Sequence, residues 1–204
     1  MDKKKFRKKC LARLRQIRKR PYRQKDHLII QKLYTIIQKE NAQTVLLYIP
    51  LKIEVDIHPL IRLLRQEGRL VLVPFMEGES FSLVKYRMPL ERKQYGIREP
   101  KNSKLYRRRE IDLAIVPIVG TDSTLRRVGF GKGMYDRFFE QERKNIKKTV
   151  FVSRVLCFSD QVVTDRRDVG GDMIITPETV RYQKKQSVLK RLVFQRTMMS
   201  RPKN

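Results

Sequence analysis

Residues 111–144 read IDLAIVPIVGTDSTLRRVGFGKGMYDRFFEQERK, and the fold turns on how they are read. The opening run, Ile111 to Ile118, is apolar apart from Asp112. Such a run is short for a helix and suits a strand covered on both faces. Glycines then crowd together at 129, 131 and 133, and from about Met134 to Lys144 the pattern becomes helical. Strand, glycine-rich loop and helix in succession are the repeating unit of an α/β sheet.

Working outward, the same grammar recurs. Upstream, Thr44–Ile49 (TVLLYI) and Leu70–Phe75 (LVLVPF) read as buried strands. Between them Asp56 is placed to cap a helix bearing Ile57, Leu60, Ile61 and Leu64, closed by Gly68. Residues 81–87 supply a further strand, and 88–110 read as a long polar, irregular excursion. Downstream, 149–158 and 172–176 add two strands. At the start of the chain, Phe6, Cys10, Leu11, Leu14 and Ile17 share one face of a basic amphipathic helix that Pro21 ends. A second helix, capped by Asp26, carries Leu28, Ile29, Leu33, Ile36 and Ile37. The expected fold class is α/β, a sandwich of helices around a mainly parallel central sheet. It forms one domain over 1–180, followed by a basic tail over 181–204.

The formal charge is +27 and is unevenly spread. Residues 1–26 hold 13 Lys/Arg against two acids, and 181–204 hold eight with no acid. The remainder has 27 basic and 19 acidic residues, so the excess sits at the termini, where it attracts anions or is simply solvated. Cys10 and Cys157 have neither metal-type spacing nor the number for a disulfide framework, so reduced thiols and a cytoplasmic setting are expected. No secretory signal or membrane span is visible, and two histidines make a histidine-rich metal site a poor fit.

The chemistry concentrates in R-V-G-F-G-K-G-M-Y-D-R, residues 127–137. Alternate glycines let backbone N–H groups approach a ligand closely, and the following helix directs its positive end at the same place. Arg127 and Lys132 add charge, and Asp136 stands where a magnesium ion bridging phosphates needs a carboxylate. The plain alternative is a loop with turn glycines. The spacing is neither that of a P-loop nor that of a dinucleotide fingerprint.

This segment resembles the R-x-G-x-G-x-G-Y-Y-D signature of the 5-formyltetrahydrofolate cyclo-ligases. Other stretches resemble the same family in the same order: K-K-K-F-R near the start, Y-I-P-L-K-I-E-V-D-I over 48–57, and Y-G-I-R-E-P over 95–100. Gln161 with Asp168 and Asp172 completes the series. The resemblance covers about residues 3–178. It implies a three-layer α/β/α sandwich of the CoA-transferase-like kind. It also implies ATP- and Mg2+-dependent closure of 5-formyltetrahydrofolate to 5,10-methenyltetrahydrofolate. Carried over position by position, it assigns ATP to Lys3, Lys4, Lys5, Phe6 and Arg7, and to Arg127, Val128, Gly129, Phe130, Gly131, Lys132, Gly133, Met134 and Tyr135. Arg127 and Lys132 are the catalytic candidates. Ile49 and Glu54 would contact the folate, and Asp136 and Asp168 would hold magnesium. The chain departs from the pattern at Ile57, Thr121, Met134 and Arg167, which bears on folate geometry. The expected protein is a monomer acting on a small molecule, with no membrane partner. Two other readings stand beside it: a nucleic-acid binder using its basic termini, and an ATP-binding relative with another substrate.

Overall fold

The computed structural model describes residues 1–17, 22–93, 96–101, 104–106 and 110–183. In it the apolar run 111–118 becomes a strand, Ile111–Pro117, because its side chains have two cores to fill. Leu113 and Ile115 join one cluster, and Ala114 and Val116 join the other. Side chains alternate across a strand, so an unbroken apolar sequence is what a strand sandwiched between two cores requires.

Four helices and twelve strands are seen among the described residues. The helices are α1 (Lys3–Ile17), α2 (Arg23–Lys39), α3 (His58–Gln66) and α4 (Met134–Glu142). The strands β1 (Thr44–Leu46), β2 (Leu70–Glu77), β3 (Ser80–Lys85), β6 (Ile111–Pro117), β9 (Ile146–Val152), β11 (Met173–Ile175) and β12 (Val180–Tyr182) form the main sheet. Its order is β12-β11-β9-β6-β1-β2-β3. The five inner strands are parallel, and β3 and β12 close the edges antiparallel. Helices α2 and α3 cover one face through Ile29, Leu33, Ile37, Leu60, Ile61 and Leu64. Phe138 and Phe139 of α4 cover the other. This is the expected three-layer arrangement.

A smaller sheet, β10-β7-β8, is built from β7 (Gly120–Asp122), β8 (Arg127–Val128) and β10 (Phe158–Ser159). Against it packs the apolar face of α1: Phe6, Cys10 and Leu14 meet Val119, Val128 and Cys157. The helix that starts the chain is thereby fixed beside the segment that precedes the glycine loop.

Several expectations need correcting. Cys10 and Cys157 do not stand as separate thiols; they form a disulfide, Cα to Cα 5.7 Å, across 147 residues. Packing of α1 on the small sheet makes the pair, and sequence spacing could not show it. Asp26 does not cap α2, which begins at Arg23; its carboxylate is buried and accepts from Arg154 at 2.8 and 2.7 Å and from the Asp56 amide at 3.0 Å. Asp56 is one residue short of the α3 cap position, which Ile57 occupies, although it accepts the His58 amide at 3.1 Å. The excursion over 88–110 contains a hairpin, β4 (Leu90–Arg92) with β5 (Arg98–Pro100). Strand β1 stops at Leu46, and 149–158 divides between β9 and β10. Strand β12 runs across the boundary drawn at 180. Pro21 and residues 184–204 lie outside the described part. No helix among the described residues is long and apolar enough to cross a membrane.

The Asp26–Arg154 pair ties α2 to the turn after β9, with both side chains less than a tenth exposed. Removing one partner strands the other charge in a dry site, a loss of about 3–5 kcal/mol. Arg154→Ala is therefore expected to melt roughly 10 °C below the parent chain in a thermal scan. A shift under about 2 °C would show that water reaches Asp26.

Candidate functional site

The site begins with Arg127. Strand β8 sits at the edge of the small sheet and delivers this side chain inward, where it is 5% exposed. Its Nε donates to the Pro117 carbonyl at 3.2 Å, at the end of β6. Its guanidinium lies over the Tyr135 ring, 4.7 Å from the centroid, and 3.8 Å from an Asp136 oxygen. Burial pulls its pKa down, and Asp136 opposes that shift. It nevertheless remains a cation, because guanidinium stays protonated in proteins.

The guanidinium folds back against its own loop. A Cβ added at Gly129 would lie 2.5 Å from Arg127 Cζ, so any side chain there would push the guanidinium from this position. Gly131 and Gly133 serve a different need, with φ of 111° and 67°. Gly133 is the left-handed residue that starts α4, a conformation that costs glycine least. The turn leaves the first turn of α4, with Met134, Tyr135 and Asp136, facing the region that Arg127 enters.

Helix α1 reaches the same loop from the other side. Arg7 Nε donates to the Gly129 carbonyl at 3.0 Å. Lys3 pairs with Asp168 and lies 3.6 Å from Asp165. Asp168 also accepts the Asp165 amide at 2.8 Å, and Asp136 accepts the Val169 amide at 3.3 Å. Lys3, Arg7, Arg127, Asp136 and Asp168 thus converge from four segments. Asp136 and Asp168 share a cleft of 470 Å³ with Arg126, Arg143, Arg166 and Arg167.

Beside this lies a largely apolar cavity of 280 Å³. Tyr48, Ile49, Leu51 and Glu54 line it after β1, Pro74 and Met76 from β2, and Phe130 and Lys132 to Tyr135 from the loop and α4, with Arg127 at the junction. Glu54 is 9% exposed and accepts the Leu51 amide at 2.9 Å. Burial lifts its pKa from 4.5 to about 7; the Leu51 hydrogen bond, Arg127 and Arg154 hold back a larger rise. Burial also pushes the Tyr135 phenol up, with Glu54 adding to it.

Not every expected residue comes to this place. Lys4 and Lys5 are exposed on the outer side of α1. Phe6 is 2% exposed in the core beneath α1, and Val128 is fully buried in the same cluster. Lys132 is exposed but lines the cavity, as do Phe130, Gly133 and Met134. Of the four departures, only Met134 lines the cavity. Ile57 is in the helix-side core, Thr121 is buried with its hydroxyl donating to the Arg126 carbonyl at 2.7 Å, and Arg167 faces solvent at the cleft.

Two contributors escaped the sequence reading. Asp122 is fully buried and accepts five hydrogen bonds, from the amides of Thr124, Val163 and Thr164 and from the hydroxyls of Thr124 and Thr164. It holds the loop that leads to Asp168. Its place after a strand was visible; the loop it gathers, 41 residues on, was not. The second is the β4–β5 hairpin, whose Ile97, Arg98 and Glu99 form one wall of the cavity. The Y-G-I-R-E-P stretch carried that signal, and its Tyr95 lies outside the described residues.

The comparisons with known proteins agree with one another. Residues 1–177 match the 5-formyltetrahydrofolate cyclo-ligase family. A probable 5-formyltetrahydrofolate cyclo-ligase of Schizosaccharomyces pombe is 27% identical over 181 residues, covering 76% of this chain and 88% of the relative. A 5-formyltetrahydrofolate cyclo-ligase of Haemophilus influenzae is 26% identical over 121 residues, covering 56% of this chain and 65% of the relative. The solved 5,10-methenyltetrahydrofolate synthetase of Aquifex aeolicus superposes with a TM-score of 0.72 at 28% identity, covering 90% and 94% of the two chains. The Mycoplasma pneumoniae synthetase, at 24% identity and a TM-score of 0.66 over 86% and 98%, shares the fold.

Proposed function

The chain belongs to the 5-formyltetrahydrofolate cyclo-ligase family, and on that footing we propose that it closes 5-formyltetrahydrofolate to 5,10-methenyltetrahydrofolate at the expense of ATP. The observation that carries this reading is the placement of Arg127. It is wedged against Gly129, stacked on Tyr135 and shared between the cationic loop and the cavity that holds Glu54.

The chemistry has two parts. The formyl oxygen of an amide is a poor leaving group. It attacks the γ-phosphorus, a P–O bond forms, the bond to ADP breaks, and the oxygen becomes part of a phosphate ester. The neighbouring folate nitrogen then attacks the formyl carbon, loses its proton, and inorganic phosphate departs with the former formyl oxygen. Little covalent work is asked of the protein; it positions two anions and neutralises charge. Arg127 and Lys132 are placed to offset the charge that builds on the transferring group. The loop from Gly129 to Gly133 supplies backbone N–H groups, and Lys3 and Arg7 approach it from α1.

The carboxylates suit magnesium. Among the described residues no cluster of three or more metal-ligating side chains exists. Magnesium bound with a nucleotide uses one or two carboxylates, leaving the rest to phosphate and water. Asp136 and Asp168, lining one cleft, meet that need, with Lys3 released from Asp168 to a phosphate. Bound there, the ion would neutralise phosphate charge. Glu54 would accept N–H donors from the amino-pyrimidine edge of the folate, beside Ile49.

The cytoplasm, and a monomer, are proposed with this activity. With Cys10 and Cys157 joined in a disulfide, reduced thiols no longer support that setting, and it rests on the activity alone. The test is a continuous absorbance assay for the methenyl product, with folate, ATP and magnesium each omitted in turn. A signal that needs all three supports the reading. No signal from folded, nucleotide-binding protein would overturn it in favour of another substrate.

A further inference from the structure

Glu99 is 2% exposed, yet the fold uses only half of it. It stands on β5 in the hairpin, and its Oε1 accepts the Met76 amide of β2 at 2.8 Å. That bond latches the hairpin onto the main sheet. Among the described residues the carboxylate makes no other hydrogen bond and no ion pair. Its side chain lines the cavity that also holds Glu54.

A latch does not need a charge. An uncharged amide would accept the Met76 N–H as well, at a smaller cost of burial. The fold therefore accounts for one oxygen and leaves the second without a hydrogen-bond partner among the described residues, on a residue that lines a largely apolar cavity. Glu54 is used similarly: one oxygen takes the Leu51 amide, and the residue lines the same cavity. Burial raises the pKa of both carboxyls. Two half-used acceptors on different walls of one small cavity suit a ligand with N–H donors on two edges. A fused pyrimidine bearing ring N–H and amino groups is such a ligand. The cations at the cavity, Arg98, Arg127 and Lys132, cannot serve those donors, because they accept nothing.

We propose that Glu99 is a second substrate-reading carboxylate, which with Glu54 accepts N–H groups of the folate ring system and sets the cavity's specificity for donor-rich heterocycles. This rests on the functional reading above, and it adds a residue to it.

The test is titration of the full-length protein with 5-formyltetrahydrofolate, followed by calorimetry, for the parent chain, Glu99→Gln and Glu54→Gln. Glutamine keeps the Met76 acceptor, so a residue that only latches the hairpin would leave affinity unchanged. The expected result is a loss of about 10- to 100-fold in folate affinity for Glu99→Gln, with KM for ATP unchanged and the melting temperature not lowered. Parent-like affinity in Glu99→Gln, beside weakened binding in Glu54→Gln, would overturn the proposal and leave the cyclo-ligase reading intact. No folate binding by the parent chain would overturn both. Should Glu99→Gln fail to fold, Glu99→Asp, which withdraws the charge by one methylene, takes its place. It should lose about tenfold, and parent-like affinity there would also overturn the proposal.

Discussion

Arg127→Ala is expected to lower kcat for cyclisation by about a thousandfold, the scale of removing one preorganised charge from a site of phosphoryl transfer. The size follows from burial. An exposed arginine would be replaced in part by water and salt, but this one is 5% exposed and held on four sides: the Pro117 carbonyl, Tyr135, Asp136 and the backbone at Gly129. Its position is fixed before any ligand arrives, so little reorganisation is needed during reaction. Arg127→Lys separates charge from shape. Lysine keeps the charge but loses the planar fork and the stacking on Tyr135, and about a 10- to 100-fold loss is expected. Circular dichroism and a thermal scan should show both variants folded. Turnover by Arg127→Ala within tenfold of the parent chain would remove Arg127 from the reaction.

Glu54→Gln should move activity and stability in opposite directions. The carboxyl is raised from 4.5 to about 7 by burial, so between those values the folded chain holds a proton that the unfolded chain has released. Stability from this group is present below about pH 4.5 and is lost as pH rises through 7; above that the native state carries the full cost of a buried charge, on the order of 3 kcal/mol. Glutamine keeps the Leu51 hydrogen bond and carries no charge. The variant should therefore melt several degrees above the parent at about pH 8 and alongside it near pH 4.5. Folate binding should go the other way. The ionised carboxylate is the acceptor for substrate N–H groups, so KM for the folate should rise in the parent chain as pH falls below 7, and in Glu54→Gln it should be high at every pH. A variant that melts below the parent at about pH 8 would mean that the charge is compensated within the fold.

The two variants probe different halves of one arrangement. Arg127 belongs to the loop whose glycines were conspicuous in the sequence. Glu54 belongs to an ordinary turn after a strand, where the family match over 48–57 singles it out but local periodicity and composition do not. What makes Glu54 unusual is its burial, at the wall of a cavity that Tyr48, Pro74, Phe81 and the β4–β5 hairpin also line. The same contrast runs through the chain. Apolar runs such as 111–118 announce strands because both faces of a central strand must be dry. The polar stretch 88–110 reads as loop because a short hairpin with one wet side leaves no periodic trace, yet it supplies Glu99 and Arg98 to the cavity.

By itself the sequence determined the α/β architecture, the glycine loop with its cations, and the order of segments that belong together, since these depend on local periodicity and on backbone freedom at particular glycines. Only the tertiary structure decided which charges meet. Lys3 lies 165 residues from Asp168, Asp26 lies 128 from Arg154, and Cys10 lies 147 from Cys157. Neither their spacing nor their neighbours carry that information. Burial is a property of the packed chain as well, so the raised carboxyls of Glu54 and Glu99, the core position of Phe6 and the core position of Ile57 appear only when helices and sheet have closed around them and excluded water.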